Sequence, residues 1–314
     1  MNYKRIFKNR QTRFKILKSL NWVPDSLMVH IQYFIYLSRW PNLKNPKRFS
    51  EKLQLYKTKY RDDVMTECVD KYYVRQFVER KGLAGILNDL YGAYDSPDEI
   101  DFSALPQSFI IKTSNGGGGN NVILVRNKAE LDIEKAKKDL KDWQILDAFS
   151  PSREWAYVGI KKSKIIIEKL LDDDRNADGS IDDYKFMCYQ GKFHYLWVDK
   201  NRYSNHVRAF WDKDLKFLPG VHSWETKPAD HEPELPPNIG EMVKIAEKLS
   251  EDFPFARIDL YNIKGKIIFG EITFYPWGGY VTYIPDSFDY DLGAPLDVSA
   301  FNKKYKNEFK RHKE

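Results

Sequence analysis

Cysteine is nearly absent. The 314-residue chain has two, Cys68 and Cys188, far apart and in no metal-ligand spacing. That argues against a disulfide framework or a structural zinc site and makes a reducing compartment the default expectation. Long apolar runs are missing too: the stretch 27–37 is broken by His30 and Gln32 and falls short of the ~20 residues of a membrane span. The basic start is not followed by an apolar core and a small-residue cleavage site, so no secretory signal is expected. No Ser-His-Asp or Cys-His set is apparent, so nothing indicates a protein nucleophile. No internal repeat or low-complexity segment stands out.

Acidic residues are missing from one place. Residues 1–20 contain Lys4, Arg5, Lys8, Arg10, Arg13, Lys15 and Lys18 and no acid; the rest of the chain has 44 basic against 45 acidic residues, about −1, although the whole carries +6. A smaller basic tail covers 303–313. Phe7, Phe14, Leu17 and Leu20 fall loosely on one helical stripe. The arm reads either as a helix that is solvated or packed on the body, or as a peripheral contact with an anionic bilayer. Nucleic acid is not an expected partner, because no base-stacking motif or groove helix accompanies the charge. With 42% hydrophobic and 31% charged residues, the chain suits a soluble enzyme-sized protein of one body or two to three lobes.

The segment 13–80 reads as mostly helical, with Ser50 capping "RFSEKLQLYKTKY" and one helix over "CVDKYYVRQFVERKG" that Gly82 stops. Strands are expected at 90–94, 109–112, 122–125, 164–170, 184–189 and 193–198, and helices at 128–143 and 239–251. The fold class is α+β, with several antiparallel hairpins and flanking helices. The glycine loop lies between two strands rather than before a helix, which speaks against a P-loop or a dinucleotide fingerprint.

That loop is the first candidate site. "FIIKTSNGGGGNNVILV" (109–125) takes an apolar strand into Lys112, then Ser114 and four glycines, Gly116, Gly117, Gly118 and Gly119. Glycines let backbone N–H groups approach an anion closely, and a lysine at the strand end adds a point charge. The second site is "RIDL…GEITF". Arg257 and Asp259 are two apart, as are Glu271 and Thr273, so each pair shares one face of a strand. A turn at Lys264-Gly265 would bring Asp259 beside Glu271, and magnesium suits paired carboxylates that share it with phosphate.

In this order the motifs resemble the ATP-grasp fold, and more closely the TupA-like ATP-grasp family linked with teichuronopeptide and surface-polysaccharide biosynthesis. The resemblance rests on "RFSEKLQLYK", "CVDKYYVR", "IKTSNGGGGN", "REW", "IIIEKLL", "DYKFMCYQGK", "DKNRYSNHVRAFWDKD" and "RIDLYNIKGKIIFGEITFYPWGG". It implies ATP held between two α+β lobes with magnesium, a carboxylate activated as an acyl phosphate, and attack by an amine. By the same resemblance, Lys71 (on a helix) and Lys112 contact phosphates, while Glu168, Lys169, Leu170 and Leu171 meet the adenine edge. Lys185 supplies a further cation or faces the purine. Asp259 and Glu271 hold the metal, and Arg257 steadies the transferring phosphate. Thr273 stands where many relatives carry a metal-binding asparagine.

For the acceptor, Arg202 and Arg208 are candidate carboxylate clamps, with His206 beside them. Trp277 in its Pro-Gly loop, with Gly278, is a candidate sugar platform. Expected lobes are a basic helical arm (1–45), a helical or α+β lobe (46–108), a small lobe with the flap (109–170) and a larger lobe with the metal hairpin (171–314). The expected reaction is cytoplasmic ligation of an amino acid to a saccharide carboxylate, such as a uronic acid, with ADP and phosphate released. The alternatives are a glycosyltransferase, a sugar kinase and a nucleotide-binding scaffold.

Overall fold

The computed structural model describes residues 10–116, 121–144, 152–173, 176, 178–223 and 226–302. Short strands whose side chains alternate sort this chain into two main sheets, each with its own core. The smaller contains β1 (Leu90–Tyr94), β2 (Phe109–Thr113), β3 (Val122–Val125) and β4 (Ile165–Glu168), antiparallel in the order β1-β4-β2-β3. Phe109 and Ile111 of β2 and Ile165 and Ile167 of β4 turn to one face, where they bury against Leu140, Ile100, Phe102 and Leu105. Because successive side chains point to opposite faces, Lys112, Ile166 and Glu168 are left on the other face. The sheet recruits β1 from upstream of residue 109, where the sequence suggested a lobe boundary.

The larger sheet contains β5 (Asp183–Tyr189), β6 (Lys192–Lys200), β7 (Val207–Trp211), a two-residue β9 (Lys227–Pro228), β10 (Phe255–Ile263) and β11 (Lys266–Thr273). Its order is β11-β10-β5-β6-β7-β9, antiparallel except for the β7–β9 pair. A second short pair joins β8 (His222–Ser223) to β12 (Tyr283–Ile284). The β10–β11 turn is at Lys264 (φ 51°) and Gly265 (φ 86°), the left-handed conformation that matches hairpin twist. The register moves by one residue between Asp259 and Leu260, and Gly270 is the extra residue. A Cβ there would lie 2.8 Å from the Asp259 carbonyl oxygen, so the bulge admits only glycine without a backbone shift.

Helices order the N-terminal part: α1 (Arg10–Ser19), α2 (Asp25–Leu37), α3 (Phe49–Lys59), α4 (Asp63–Val69) and α5 (Val74–Arg80). Ser50 lies inside the first turn of α3 rather than capping it, and its hydroxyl donates to Asp289 Oδ2 at 2.6 Å. The Glu51 carboxylate closes the helix start instead, accepting the Lys47 and Arg48 N–H groups. The helix expected over 128–143 splits into a 3₁₀ turn (Lys128–Glu130) and α6 (Ile133–Trp143), because Asp132 accepts from Lys135 N at 2.9 Å and caps a new start. Later helices are the short α7 (Trp155–Val158), α8 (Ile239–Ser250) and α9 (Phe288–Gly293). α3, α4, α5 and α8 all bury side chains in the large core, with Tyr56, Val78, Leu249 and Phe255 among its fully enclosed members.

Candidate functional site

The open face of the small sheet and the end of the large one border a cleft lined by Lys71, Arg75, Lys112, Glu168, Tyr261 and Glu271 among others. On the large sheet, β10 and β11 align Arg257 with Thr273 and Asp259 with Glu271. Arg257 grips Asp259 through Nε and Nη2, both at 2.7 Å, and its Nη2 also reaches Glu271 Oε1 at 2.9 Å and the Thr273 hydroxyl at 3.0 Å. One guanidinium touching all three side chains puts both acids on one face. Asp259 is enclosed, whereas the Glu271 side chain is 43% exposed. Burial pushes the Glu271 carboxyl up, but Arg257, Lys71 and Lys185 outweigh it and hold the group at about 2. At the enclosed Asp259 burial wins over Arg257 and Lys185, and the carboxyl is shifted upward.

Lys71 sits in a turn between α4 and α5, not on a helix. Asp70 breaks the helical path by accepting the N–H groups of Tyr72 (2.8 Å) and Tyr73 (3.0 Å) on Oδ1. Its other oxygen takes the Ser114 hydroxyl at 2.7 Å, and Lys71 N donates to Ser114 O at 3.0 Å. The turn is thereby stapled to the end of β2, and Lys71 Nζ donates to the Gly116 carbonyl at the foot of the glycine loop. Burial lowers the Lys71 pKa, with Glu271 across the cleft the largest opposing influence. Gly117, Gly118 and Gly119 lie outside the described residues.

Ser114, expected beside a phosphate, is itself buried: its oxygen donates to Asp70 and accepts Lys164 N at 3.0 Å. Its role is to join β2, the Lys71 turn and the approach to β4. The Ser114→Ala variant should lose about 1–3 kcal/mol of stability by leaving buried Asp70 Oδ2 and Lys164 N without this partner, as read by urea denaturation.

On the small sheet Lys112 Nζ donates to Glu168 Oε2 at 2.9 Å, and Arg75 Nη1 to Glu168 Oε1 at 3.2 Å. Arg75 is a residue the sequence reading passed over. Glu168 is the meeting point of two cations rather than an open acceptor. Past it, Lys169 N donates to Asp89 O at 2.9 Å, and Asn88 Nδ2 donates to Lys169 O at 2.8 Å. Leu171 lines the cleft, while Leu170 is not among the lining residues.

On the large sheet, Lys185 of β5 is opposite Asp259 in register and donates to it at 2.6 Å, and also to Asp183. Asp183, two residues before Lys185, was not singled out from sequence. It is buried, accepts Arg202 Nη1 at 3.0 Å on Oδ2, and has no hydrogen-bond partner on Oδ1 among the described residues. Arg208 binds Asp199 through Nε (2.7 Å) and Nη2 (3.2 Å), while His206 Nε2 lies 3.0 Å from the same carboxylate. Arg208 also packs 4.6 Å from the Trp277 ring centre; Trp277 stacks on Trp197 at 5.6 Å and lies 5.9 Å from Arg257. The acceptor candidates are thus contiguous with the carboxylate hairpin.

Trp277 holds φ 48° and is followed by Gly278 (φ 64°) and Gly279 (φ 75°). This strained turn rests on a buried lysine: Lys57 Nζ donates to Gly278 O at 2.7 Å and Ser152 O at 3.0 Å. Tyr280, closing the turn, donates to Gln32 Oε1 at 2.8 Å and stacks on Tyr36 at 4.7 Å.

A family model described as TupA-like ATPgrasp matches residues 51–297, an interval that contains every cleft residue named above. The chain belongs to the TupA-like ATP-grasp family. No curated protein matches it. Among solved structures, this ATP-grasp chain is similar to D-alanine–D-alanine ligase from Bacillus anthracis (15% identity, 75% of this chain and 69% of that one, TM-score 0.48). It is also similar to L-amino acid ligase from Bacillus licheniformis (15% identity, 68% of this chain and 42% of that one, TM-score 0.39).

An ATP-grasp cleft must accommodate a triphosphate and its magnesium. Among the described residues no three His, Cys, Asp or Glu side chains gather as a metal site; the hairpin offers two carboxylates, Asp259 and Glu271, with the Thr273 hydroxyl beside Glu271 at 3.1 Å. That donor set fits magnesium, which takes one or two carboxylates and completes its shell with phosphate oxygens and water. Glu271, the more exposed acid, is the accessible ligand; Asp259 would have to share its oxygens with Arg257 and Lys185.

Proposed function

We propose that this protein is an ATP-dependent, ADP-forming carboxylate–amine ligase that acts in the cytoplasm on a surface-polysaccharide component, joining an amino acid to a uronic acid carboxylate. The observation that carries the reading is the Arg257 guanidinium spanning Asp259 and Glu271, in a cleft whose opposite wall presents Lys71 and Lys112.

Bound magnesium would cancel charge on the phosphates and hold them against Asp259 and Glu271. Lys71 and Lys112 would neutralise the phosphate chain from the small-sheet side. An acceptor carboxylate oxygen attacks the γ-phosphorus, the bond to the bridging oxygen breaks, and ADP leaves with that electron pair. Arg257 would follow the phosphoryl group as it moves. The amine nitrogen then adds to the acyl phosphate carbon, the C–O bond to phosphate breaks, and the nitrogen releases a proton to water. No protein nucleophile is needed: positioning and charge compensation carry the rate. Leu171 and the backbone beyond Glu168 would receive the base. Arg202, Arg208 and Trp277 would receive the acceptor, with His206 oriented by Asp199.

The test is incubation with ATP, magnesium and panels of amino acids and uronic acids. Release of ADP and phosphate with an amide product is expected; AMP, a phosphorylated sugar or transfer from a nucleotide-sugar would each overturn ligation. Trp277→Ala should raise KM for the saccharide about tenfold through lost stacking, with KM for ATP unchanged.

A further inference from the structure

A surface helix ordinarily turns its apolar side inward and a polar side to water; α2 carries large apolar side chains on its outer side as well as its inner one. Its inner face buries Met28, Val29 and Tyr33, and is fixed to the body by Tyr33 to Ser50 (2.8 Å) and Gln32 to Tyr280 (2.8 Å). Its outer face carries Leu27, Ile31, Phe34 and Ile35, all exposed, at the spacing of one helical side. Trp22, 79% exposed, precedes the helix; Trp40, 64% exposed, follows it and stacks on Phe34 at 4.6 Å. In sequence the helix is flanked by positive charge, with Lys15 and Lys18 before it and Lys44 and Lys47 after it, all exposed. Residues 1–48 contain eleven basic residues and one acid, Asp25. Asp25 turns towards Arg153 (3.1 Å) and Arg61 (4.0 Å). Setting aside Arg39 and Arg48, which pair with Asp286 and Asp289, the segment remains strongly basic.

We propose that the outer face of α2, bracketed by Trp22 and Trp40, docks on an anionic lipid bilayer, with the exposed lysines that flank the helix in sequence (Lys15, Lys18, Lys44 and Lys47) favouring the anionic headgroups. The chemistry is that of an interfacial helix: an apolar face, tryptophans whose rings suit the headgroup boundary, and surrounding lysine and arginine. No helix among the described residues is long and apolar enough to cross a membrane, so the contact is one of lying on the bilayer. The inference does not depend on the ligase reading, since it concerns a face away from the cleft and is read without catalysis.

The experiment is flotation of the full chain with phosphatidylcholine vesicles, with and without phosphatidylglycerol. Binding should be about tenfold or more tighter to the anionic vesicles and weaken with salt. Ile31→Glu with Phe34→Glu should reduce partitioning roughly thirtyfold or more by removing two inserting side chains. Trp22→Ala with Trp40→Ala, both at exposed positions, should reduce it without altering the melting temperature. Three outcomes overturn the proposal: no binding to anionic vesicles, binding indifferent to both variants, or a lipid-free dimer that the same substitutions dissolve, which would assign the face to a second copy.

Discussion

Replacing Glu271 by glutamine should lower the rate of ADP release by two to three orders of magnitude while leaving the fold intact. The change preserves shape and keeps an oxygen for the Arg257 and Thr273 contacts at 2.9 and 3.1 Å. It removes one negative charge from the more exposed of the paired acids. Losing a preorganised charged contact of this kind costs about 3–4 kcal/mol of transition-state stabilisation. The loss should be partly recovered at raised magnesium, because the defect lies in holding the metal rather than in the protein's shape. Asp259→Asn should cost at least as much in rate. It should also cost stability, since Arg257 and Lys185 both converge on that enclosed carboxylate. Unchanged turnover in Glu271→Gln, measured by coupled ADP assay, would remove the hairpin from the mechanism.

Replacing Lys57 by methionine should destabilise the protein by about 1–3 kcal/mol for each carbonyl left without its donor. Lys57 is fully buried, and burial drives its pKa down while that of the nearby, half-buried Glu154 is driven up. Each is the other's principal counter-charge. Methionine fills the volume but leaves Gly278 O and Ser152 O without their donor and Glu154 without its cation. The double variant Lys57→Met with Glu154→Gln should regain a substantial part of the loss, and a double-mutant cycle in urea gives the coupling. Additive losses would show that the two residues act independently.

The geometry of the candidate site's hairpin was legible because it is local. Lys112 ends an alternating strand, and Arg257, Asp259, Glu271 and Thr273 follow from period-two spacing around Lys264-Gly265. Their convergence on one guanidinium needed only a hairpin. Features set by distant partners were not legible. Asp70 interrupts a helical pattern with a capping turn that Ser114, 44 residues away, helps to hold, so "CVDKYYVRQFVERKG" reads as one continuous helix. Asp183 looks like an acid in a polar turn until the β5–β10 register sets its neighbour Lys185 against Asp259. Ser50 has the composition of a cap, yet Asp289, 239 residues on, claims its hydroxyl. The strand β7 is not among the strands expected from sequence, because its buried Arg208 breaks the apolar pattern; Asp199 on the adjacent strand and Ser223 make that burial tolerable.

The joint at Tyr280 bears on how the protein is handled. The family match begins at residue 51, which invites trimming to that point. Such a fragment would keep both sheets and the carboxylate hairpin but discard Gln32 and Tyr36, the two residues that buttress Tyr280 behind the strained Trp277 turn. Trimmed protein should still take up nucleotide, yet present a slack wall to the saccharide. Failure to find an acceptor with that fragment would say little about the intact chain.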